Sequence, residues 1–152
     1  MAIVYLNLGT NIGNKRRNMI TAAALLAERV GDVLALSGFY ETEPWGFASE
    51  NLFLNAAVKL KTSFSPSELL LATQQIEKEL GRTEKSNGAY HDRIIDIDIL
   101  LYDDEIRQTA ELTLPHPLMH ERKFVMDPLS EIAPFVVHPI LKERIIDLKE
   151  RL

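Results

Sequence analysis

Cysteine is absent from the 152 residues of this sequence. This absence excludes disulfide bonds, a thiolate nucleophile and the zinc and iron–sulfur sites that cysteine builds. A bound metal ion must therefore be held by carboxylates or histidines, of which the chain has 22 and 4.

Long apolar runs are missing as well. No stretch approaches the roughly 18 uncharged apolar residues that a membrane-spanning helix needs. The first nine residues also lack the basic and apolar regions of a signal peptide. We therefore expect a cytoplasmic protein with no membrane partner.

Basic residues are outnumbered, with 17 Lys and Arg against 22 Asp and Glu and a formal net charge of -5. A protein that coats nucleic acid needs a broad basic surface, so this class is excluded. A small anionic ligand held by a few arginines is compatible with the same balance. The length is that of one ordinary domain, so we expect a single domain over residues 1–152 and a monomer.

Predicted elements follow one another in the order strand, helix, strand, strand, helix, strand. Strands are predicted at 2–9, 33–41, 52–62 and 93–102, and helices at 14–29 and 65–80. This order is typical of a ferredoxin-like α+β sandwich, an antiparallel sheet with helices packed on one face, although other α+β layouts share it. Weaker helical patterns predict C-terminal additions near 117–125, 128–133 and 143–151.

Two local signals mark element boundaries. Ser65-Pro66-Ser67-Glu68 offers an N-cap serine, a proline at the first helical position and a glutamate placed to close a capping box. Asp103-Asp104-Glu105 is expected to turn the chain from the last strand into a short edge strand.

Asp96 and Asp98 interrupt the most β-rich segment of the chain. Side chains two apart on a strand point to the same face, about 7 Å apart at their backbones. Burying two ionised carboxylates together is costly unless a cation compensates them. With Arg93 three residues upstream, the pair favours Mg²⁺ bound together with substrate phosphates. The alternative is an exposed strand face with two solvated aspartates.

Other polar or aromatic residues stand out from their surroundings. Asn55 lies in an apolar run and could satisfy backbone groups or bind the edge of a heterocycle. Trp45, in a loop, could fill part of the core or form a wall for a flat ligand. His116 and His120 are four apart, but zinc would need a third ligand that the sequence pattern does not identify. We therefore interpret His116 and Arg122 as hydrogen-bond donors to phosphate groups of a ligand.

Together these segments resemble the 6-hydroxymethyl-7,8-dihydropterin pyrophosphokinases, over about residues 2–135. The resemblance is carried by Gly9-Thr10-Asn11, residues 39–46, Phe53-Leu54-Asn55-Ala56, Glu77 with Gly81-Arg82, residues 93–100 and residues 115–125. It implies a ferredoxin-like fold and the transfer of pyrophosphate from ATP to the pterin hydroxymethyl group, in folate biosynthesis, with release of AMP and the use of two Mg²⁺ ions.

The resemblance also implies site residues, position by position. Asp96 and Asp98 would be the metal ligands. The residues that contact ATP or its phosphates would be Glu77, Arg82, Arg93, Ile99, Thr113, His116 and Arg122. The pterin side would be formed by Thr42, Pro44, Trp45, Phe53, Asn55, Asp96 and Phe124. Loops 43–51 and 82–92 would be mobile covers, and the basic residues that assist catalysis would be Arg82, Lys85 and Arg93.

Two departures from the family pattern lie before the aspartate pair. Tyr90-His91-Asp92-Arg93 stands where the family usually has Trp-Gly-Pro-Arg. Glu84 and Lys85 occupy the stretch of the catalytic loop that usually carries a basic residue. We take Lys85 as the basic residue of this loop. The altered loop leaves two alternatives: a non-catalytic ferredoxin-like module that binds pterin or nucleotide, and a structural interaction domain with solvated aspartates. Formation of AMP would distinguish the enzyme from both alternatives. Mg²⁺-dependent binding of an ATP analogue would distinguish the structural domain from the enzyme and the binding module.

Overall fold

The computed structural model describes residues 1–43, 52–81 and 94–152. The elements are β1 (Ala2–Thr10), α1 (Lys15–Arg29), β2 (Asp32–Leu36), β3 (Tyr40–Thr42), β4 (Phe53–Thr62), α2 (Pro66–Glu79), β5 (Asp96–Tyr102), β6 (Arg107–Gln108), β7 (Thr113–Leu114), a 3-10 turn (Met119–Glu121), α3 (Lys123–Ile132) and α4 (Ile145–Glu150). Within these three ranges, no helix combines the length and the apolar character needed to cross a bilayer.

The main sheet is antiparallel, with the strand order β2-β4-β1-β5, and β3 pairs with the start of β4. β1 is central, and all but one of its residues are buried. An antiparallel sheet combined with helices makes this a mixed α+β fold, which confirms the coarse class predicted from the element order.

Helices cover both faces of the sheet. On one face, Leu6 and Leu8 of β1 share a core with Met19 of α1 and Leu69 of α2. On the other face, a second core contains Tyr5 and residues of α3 and α4. The prediction of helices on one face only was therefore wrong. The reason lies in β1 and β4, whose nearly continuous buried runs are typical of strands covered on both sides.

Two further predictions differ from the structure. The strand predicted at 33–41 is two strands separated by residues 37–39. In this interval the N–H of Ser37 still donates to the carbonyl of Ala57 on β4, and the N–H of Gly38 donates to Glu131. The chain after Asp103 does not extend the main sheet, since β6 pairs with β7 in a separate two-stranded sheet. At the turn itself, Asp103 adopts a φ of 48° and its carboxylate accepts the N–H of Ile3 at 2.8 Å.

The capping box at the start of α2 is confirmed. The hydroxyl of Ser65 accepts the N–H of Glu68 at 3.2 Å, and the Glu68 carboxylate accepts the N–H of Ser65 at 2.9 Å. Pro66 occupies the first helical position, where no N–H is needed. The cap therefore marks where α2 begins.

We predict that Ser65→Ala lowers the free energy of unfolding by about 1 kcal/mol, because the N–H of Glu68 loses the serine hydroxyl as its hydrogen-bond acceptor. Chemical denaturation would measure this. The matched control is Ser67→Ala, an exposed serine two residues further on, which should change stability by less than about 0.5 kcal/mol. Equal effects of the two substitutions would contradict the prediction.

Candidate active site

Two adjacent pockets open at the start of β5. The first, called the aromatic pocket, is lined by Asn7, Gly9, Thr42, Glu43, Phe53, Asn55, Asp96, Asp98, Arg122 and Phe124. The second, called the helix pocket, is lined by Leu70, Thr73, Gln74, Glu77, Asp96, Ile97, Asp98, His116, Leu118 and Arg122. Asp96, Asp98 and Arg122 belong to both, so these three residues lie at the boundary between the pockets.

Strand alternation places the two carboxylates at this boundary. Ile97 and Ile99 of β5 point into the core shared with α1 and α2. Asp96 and Asp98 therefore share the opposite face, where each is partly buried. In the register with β1, Gly9 lies opposite Asp96 and Asn7 opposite Asp98.

Gly9 leaves the space that the aromatic pocket uses. A Cβ atom at this position would lie 3.1 Å from Oδ1 of Asn55 and 3.8 Å from a ring carbon of Phe53. The contact with the amide is tight, so a side chain at position 9 would require the Asn55 amide to shift by a few tenths of an ångström. The glycine next to the carboxylates thus allows the close packing of Asn55.

Buried amides form a chain along the floor of the aromatic pocket. Nδ2 of Asn7 donates to Oδ1 of Asn55 at 3.4 Å, and Nδ2 of Asn55 donates to the hydroxyl of Thr42 at 3.0 Å. Asn55 and Asn7 are only 2% and 3% exposed. Asn55 thus bonds to side chains of β1 and β3 in this row of amides. From the sequence, backbone groups or a ligand were the two expected kinds of hydrogen-bond partner for Asn55.

Arg122 joins the start of α3 to both pockets. Its guanidinium carbon lies 5.6 Å from the centre of the Phe124 ring, and the residue is 6% exposed. A guanidinium keeps its charge at any physiological pH. Arg122 therefore supplies a permanent positive charge beside Asp96 and Asp98.

Glu77 connects α2 to β5. Its carboxylate accepts the N–H of Ile97 at 2.8 Å, and the residue is 6% exposed. The bond holds β5 against α2 at the residue between the two aspartates. It also places a carboxylate in the wall of the helix pocket.

His116 is neutral at physiological pH. Its Nδ1 accepts the N–H of Leu118 at 3.3 Å, so the ring proton lies on Nε2. Burial and the nearby charge of Arg122 lower the pKa of His116 to about 4, and Asp96 opposes this only in part. The side chain can therefore donate a hydrogen bond through Nε2 but does not contribute a positive charge.

His120 does not share this site. Its ring meets that of His138 edge-on, with the ring centres 5.8 Å apart. Over residues 1–43, 52–81 and 94–152, no group of three or more histidine, cysteine or acidic side chains that could hold a metal ion is present.

The remaining residues implied by the resemblance lie elsewhere or outside the described ranges. Ile99 is part of the core and Thr113 belongs to β7, and neither lines the two pockets. The residues outside the described ranges are Pro44, Trp45, Arg82, Lys85 and Arg93, and most of loops 43–51 and 82–92 lies there as well.

Some pocket residues were not identified from the sequence. Leu70, Thr73 and Gln74 repeat along one face of α2, which carries no chemical signal of its own. Asn7 did carry one, because it is a polar residue inside the apolar run of β1, the same signal that singled out Asn55.

Comparisons with known proteins agree with one another. The model of the family described as 7,8-dihydro-6-hydroxymethylpterin-pyrophosphokinase matches residues 5–134. The 2-amino-4-hydroxy-6-hydroxymethyldihydropteridine pyrophosphokinase of Porphyromonas gingivalis is 55% identical over 141 residues, which are 91% of this chain and 95% of that protein. The Aquifex aeolicus enzyme of the same name is 43% identical over 149 residues, which are 98% of this chain and 91% of that protein.

Solved structures support the fold. A chain described as HPPK-DHPS in complex with substrates aligns with a TM-score of 0.76 at 17% identity. The wild-type Plasmodium falciparum HPPK-DHPS with pteroate aligns with a TM-score of 0.79, also at 17% identity. The alignments cover 99% of this chain but only 43% and 44% of those chains. This chain is therefore similar in fold to a part of each.

We predict that the nuclear magnetic resonance signal of the His116 ring titrates near pH 4, because burial and Arg122 disfavour its charged form. The signal can be assigned by its loss in His116→Gln. A midpoint near 6.5, the ordinary value, would contradict the prediction.

The same pKa shift predicts a pH dependence of stability. Because the folded-state pKa of His116 lies below the unfolded value of 6.5, the unfolded chain binds the proton first as the pH falls. The contribution of neutral His116 is thus present above pH 6.5 and is lost towards pH 4. Between pH 7.5 and 5, the unmodified protein should lose about 2 kcal/mol more than His116→Gln does, measured by chemical denaturation.

Proposed function

The chain belongs to the 7,8-dihydro-6-hydroxymethylpterin-pyrophosphokinase family, and from this premise we propose how its residues carry out the family's reaction. The reaction transfers pyrophosphate from ATP to the hydroxymethyl group of 6-hydroxymethyl-7,8-dihydropterin in folate biosynthesis. The alternative of a non-catalytic binding module is not favoured. The two relatives described above are named as pyrophosphokinases, and the match covers nearly the whole length of each.

We propose that the aromatic pocket takes the pterin and the helix pocket takes ATP. The observation that carries this assignment is the shared boundary, since Asp96, Asp98 and Arg122 line both pockets. A transfer between two substrates requires their reacting groups to meet at one place. The boundary is the place where the hydroxymethyl group and the polyphosphate would meet.

The aromatic pocket suits a flat heterocycle with hydrogen-bonding edges. Phe53 and Phe124 supply ring surfaces for stacking. A primary amide has two N–H groups and two lone pairs, so the bonds of Asn55 to Asn7 and Thr42 leave capacity for a ligand. Thr42 lies beside this amide and would contact the same edge of the ring.

The helix pocket suits a nucleotide. Leu70 and Leu118 provide apolar surface for a base, and Arg122 provides charge for phosphate oxygens. Neutral His116 would donate its Nε2 proton to a phosphate or ribose oxygen. Arg82, Lys85 and Arg93, outside the described residues, stay predictions as further phosphate contacts.

The carboxylate pair fits Mg²⁺. Mg²⁺ prefers oxygen ligands and is usually bound by one or two protein carboxylates, waters and substrate phosphates. Asp96 and Asp98 offer two carboxylates on one face of a rigid strand, so a third protein ligand is not required. When bound there, Mg²⁺ would neutralise charge on the polyphosphate. The binding of two ions is also proposed, on the resemblance alone.

In the proposed reaction, the pterin hydroxyl gives up its proton and its oxygen forms a bond to the β-phosphorus. The bond from that phosphorus to the bridging oxygen of AMP breaks, and AMP leaves. Such transfers depend on positioning and charge stabilisation more than on covalent catalysis by the protein. Asn55 and Thr42 would orient the ring so that its hydroxymethyl group points to the boundary. Arg122 would compensate negative charge there.

Three broader expectations are also proposals. The strand order β2-β4-β1-β5 with α1 and α2 on one face supports the ferredoxin-like description of this part of the chain. The monomeric state and the cytoplasmic location stay predictions. Sedimentation equilibrium over a range of concentrations would measure the oligomeric state.

We predict that Asp98→Asn lowers Mg²⁺-dependent AMP formation by at least about 100-fold, because stabilisation of the transferring phosphates by the metal contributes several kcal/mol. The measurement is AMP release from ATP, Mg²⁺ and the hydroxymethyl pterin. The control is Asp32→Asn, an exposed aspartate on β2, which should retain full activity. Unchanged activity in Asp98→Asn would remove Asp98 from the metal site, and no AMP from the unmodified protein would contradict the proposed function.

We predict that substitutions in the two pockets affect different substrates. Phe124→Ala should weaken pterin binding by about 10-fold, because ring stacking contributes roughly 1–3 kcal/mol, and should leave binding of a non-hydrolysable ATP analogue unchanged. Gln74→Ala, on the α2 wall, should weaken the analogue and leave the pterin unchanged. Isothermal titration calorimetry measures both, and the reverse pattern would exchange the assignment of the pockets.

A further inference from the structure

Lys15 is a basic residue at a helix position that disfavours positive charge. It is the first residue of α1, and the first turn of this helix contains no acidic residue. The N-terminus of a helix carries a partial positive charge, so a lysine there destabilises its own helix. The residue is nevertheless half-buried rather than fully exposed to solvent. Its placement therefore calls for an explanation from a contact outside α1.

The contact is with the start of β4. Nζ of Lys15 donates to the carbonyl oxygen of Leu52 at 3.1 Å, across 37 positions of the chain. The pairing of β4 with β1 ends at Leu54, and its pairing with β3 ends at Phe53. Among the described residues, neither register reaches Leu52. The lysine therefore fixes a peptide group that lies beyond both pairings of the sheet.

The end of α1 that carries Lys15 is itself fixed to the end of β1. The side chain of Asn14 caps the helix by accepting a backbone N–H of the first turn at 3.1 Å. Nδ2 of Asn18 donates to the hydroxyl of Thr10 at 3.2 Å and to the carbonyl of Ile12 at 3.0 Å. The ammonium of Lys15 thus acts from an anchored base. Its bond to a carbonyl has one possible polarity, because an ammonium only donates and a carbonyl only accepts.

The peptide that Lys15 holds leads directly into Phe53. The carbonyl of Leu52 belongs to the peptide bond before Phe53, and this bond is planar, so a fixed oxygen restricts rotation of the whole plane. The Phe53 ring lines the aromatic pocket, where one of its carbons lies 3.8 Å from the place that a Cβ atom of Gly9 would occupy. The direction from which the ring meets a ligand therefore depends on the plane that Lys15 holds.

We propose that Lys15 is a positioning residue for pterin binding, which holds the peptide before Phe53 and thereby the ring surface on which the heterocycle stacks. The inference rests on the proposed function, in which Phe53 stacks on the pterin. It adds a residue of α1 to the pterin side, although none of the described lining residues of the aromatic pocket lies on that helix.

The test compares Lys15→Met with Arg17→Met in the AMP-forming assay. Methionine is close to lysine in length but cannot donate to the carbonyl of Leu52. Lys15→Met should raise the KM for the pterin by roughly 3- to 10-fold and leave the KM for ATP unchanged, because one hydrogen bond is lost on the pterin side only. Arg17→Met removes an equal charge from an exposed residue of the same helical turn and should change neither KM. Lys15→Arg keeps a charged donor and should retain most of the pterin affinity.

A double-mutant cycle shows whether Lys15 acts through Phe53. The combination of Lys15→Met and Phe53→Ala should raise the KM for the pterin no further than Phe53→Ala alone, because the ring that Lys15 positions is already absent. Additive effects would overturn the inference, since Lys15 would then act on the pterin by another route. A rise of the KM values for both substrates in Lys15→Met would also overturn it, because it would indicate general damage to the site.

The ring signals of Phe53 test the same contact without substrate. In proton–carbon nuclear magnetic resonance spectra of the unliganded protein, they can be assigned by their loss in Phe53→Ala. Lys15→Met should shift these signals, and Arg17→Met should leave them in place. Unchanged ring signals in Lys15→Met would overturn the inference, and so would an unchanged KM for the pterin.

Failure of the inference and failure of the proposed function give different results. If the unmodified protein forms no AMP, the proposed function fails, and the role of Lys15 in pterin binding fails with it. If the unmodified protein forms AMP but the pterin KM or the Phe53 signals do not respond to Lys15→Met, the inference fails and the proposed function stands.

Discussion

β1 pairs with β4 on one side and β5 on the other, and the candidate site depends on the register of these two pairings. The register places Gly9 opposite both Asn55 and Asp96, and Asn7 opposite Asp98. Because strand side chains alternate, a slip of one residue would turn the carboxylates into the core and direct isoleucines into the pockets. The apolar side chains that α1 and α2 cover make such a slip costly. Packing of the apolar face of β1 and β5 against α1 and α2 thus fixes the register that places the polar residues on the opposite face.

Charge is arranged locally in a way that the net charge of -5 does not reveal. Two carboxylates and a buried arginine meet at the boundary of the pockets. His116 beside them stays neutral because burial and Arg122 both lower its pKa. The only permanent positive charge among the described lining residues of the two pockets is therefore that of Arg122, which supports the proposal of Mg²⁺ at the two aspartates.

Much of the fold could be predicted because its signals are local. The Ser65 cap needs only four consecutive residues, and the common face of Asp96 and Asp98 follows from strand alternation. The break of the strand after Leu36 could not be predicted in this way. At this break the N–H of Gly38 donates to Glu131, which lies 93 residues further along the chain.

The sequence by itself determined most of the elements of the main sheet and its two long helices, the common strand face of the two carboxylates and, through its motifs, the family to which the chain belongs. The tertiary structure alone decided that helices cover both faces of the sheet and that two pockets share Asp96, Asp98 and Arg122. It also joined Asn7 to Asn55, two residues 48 positions apart. Local patterns report how a segment folds, whereas contacts between distant segments arise only when strands choose their partners, and no short stretch of sequence encodes that choice.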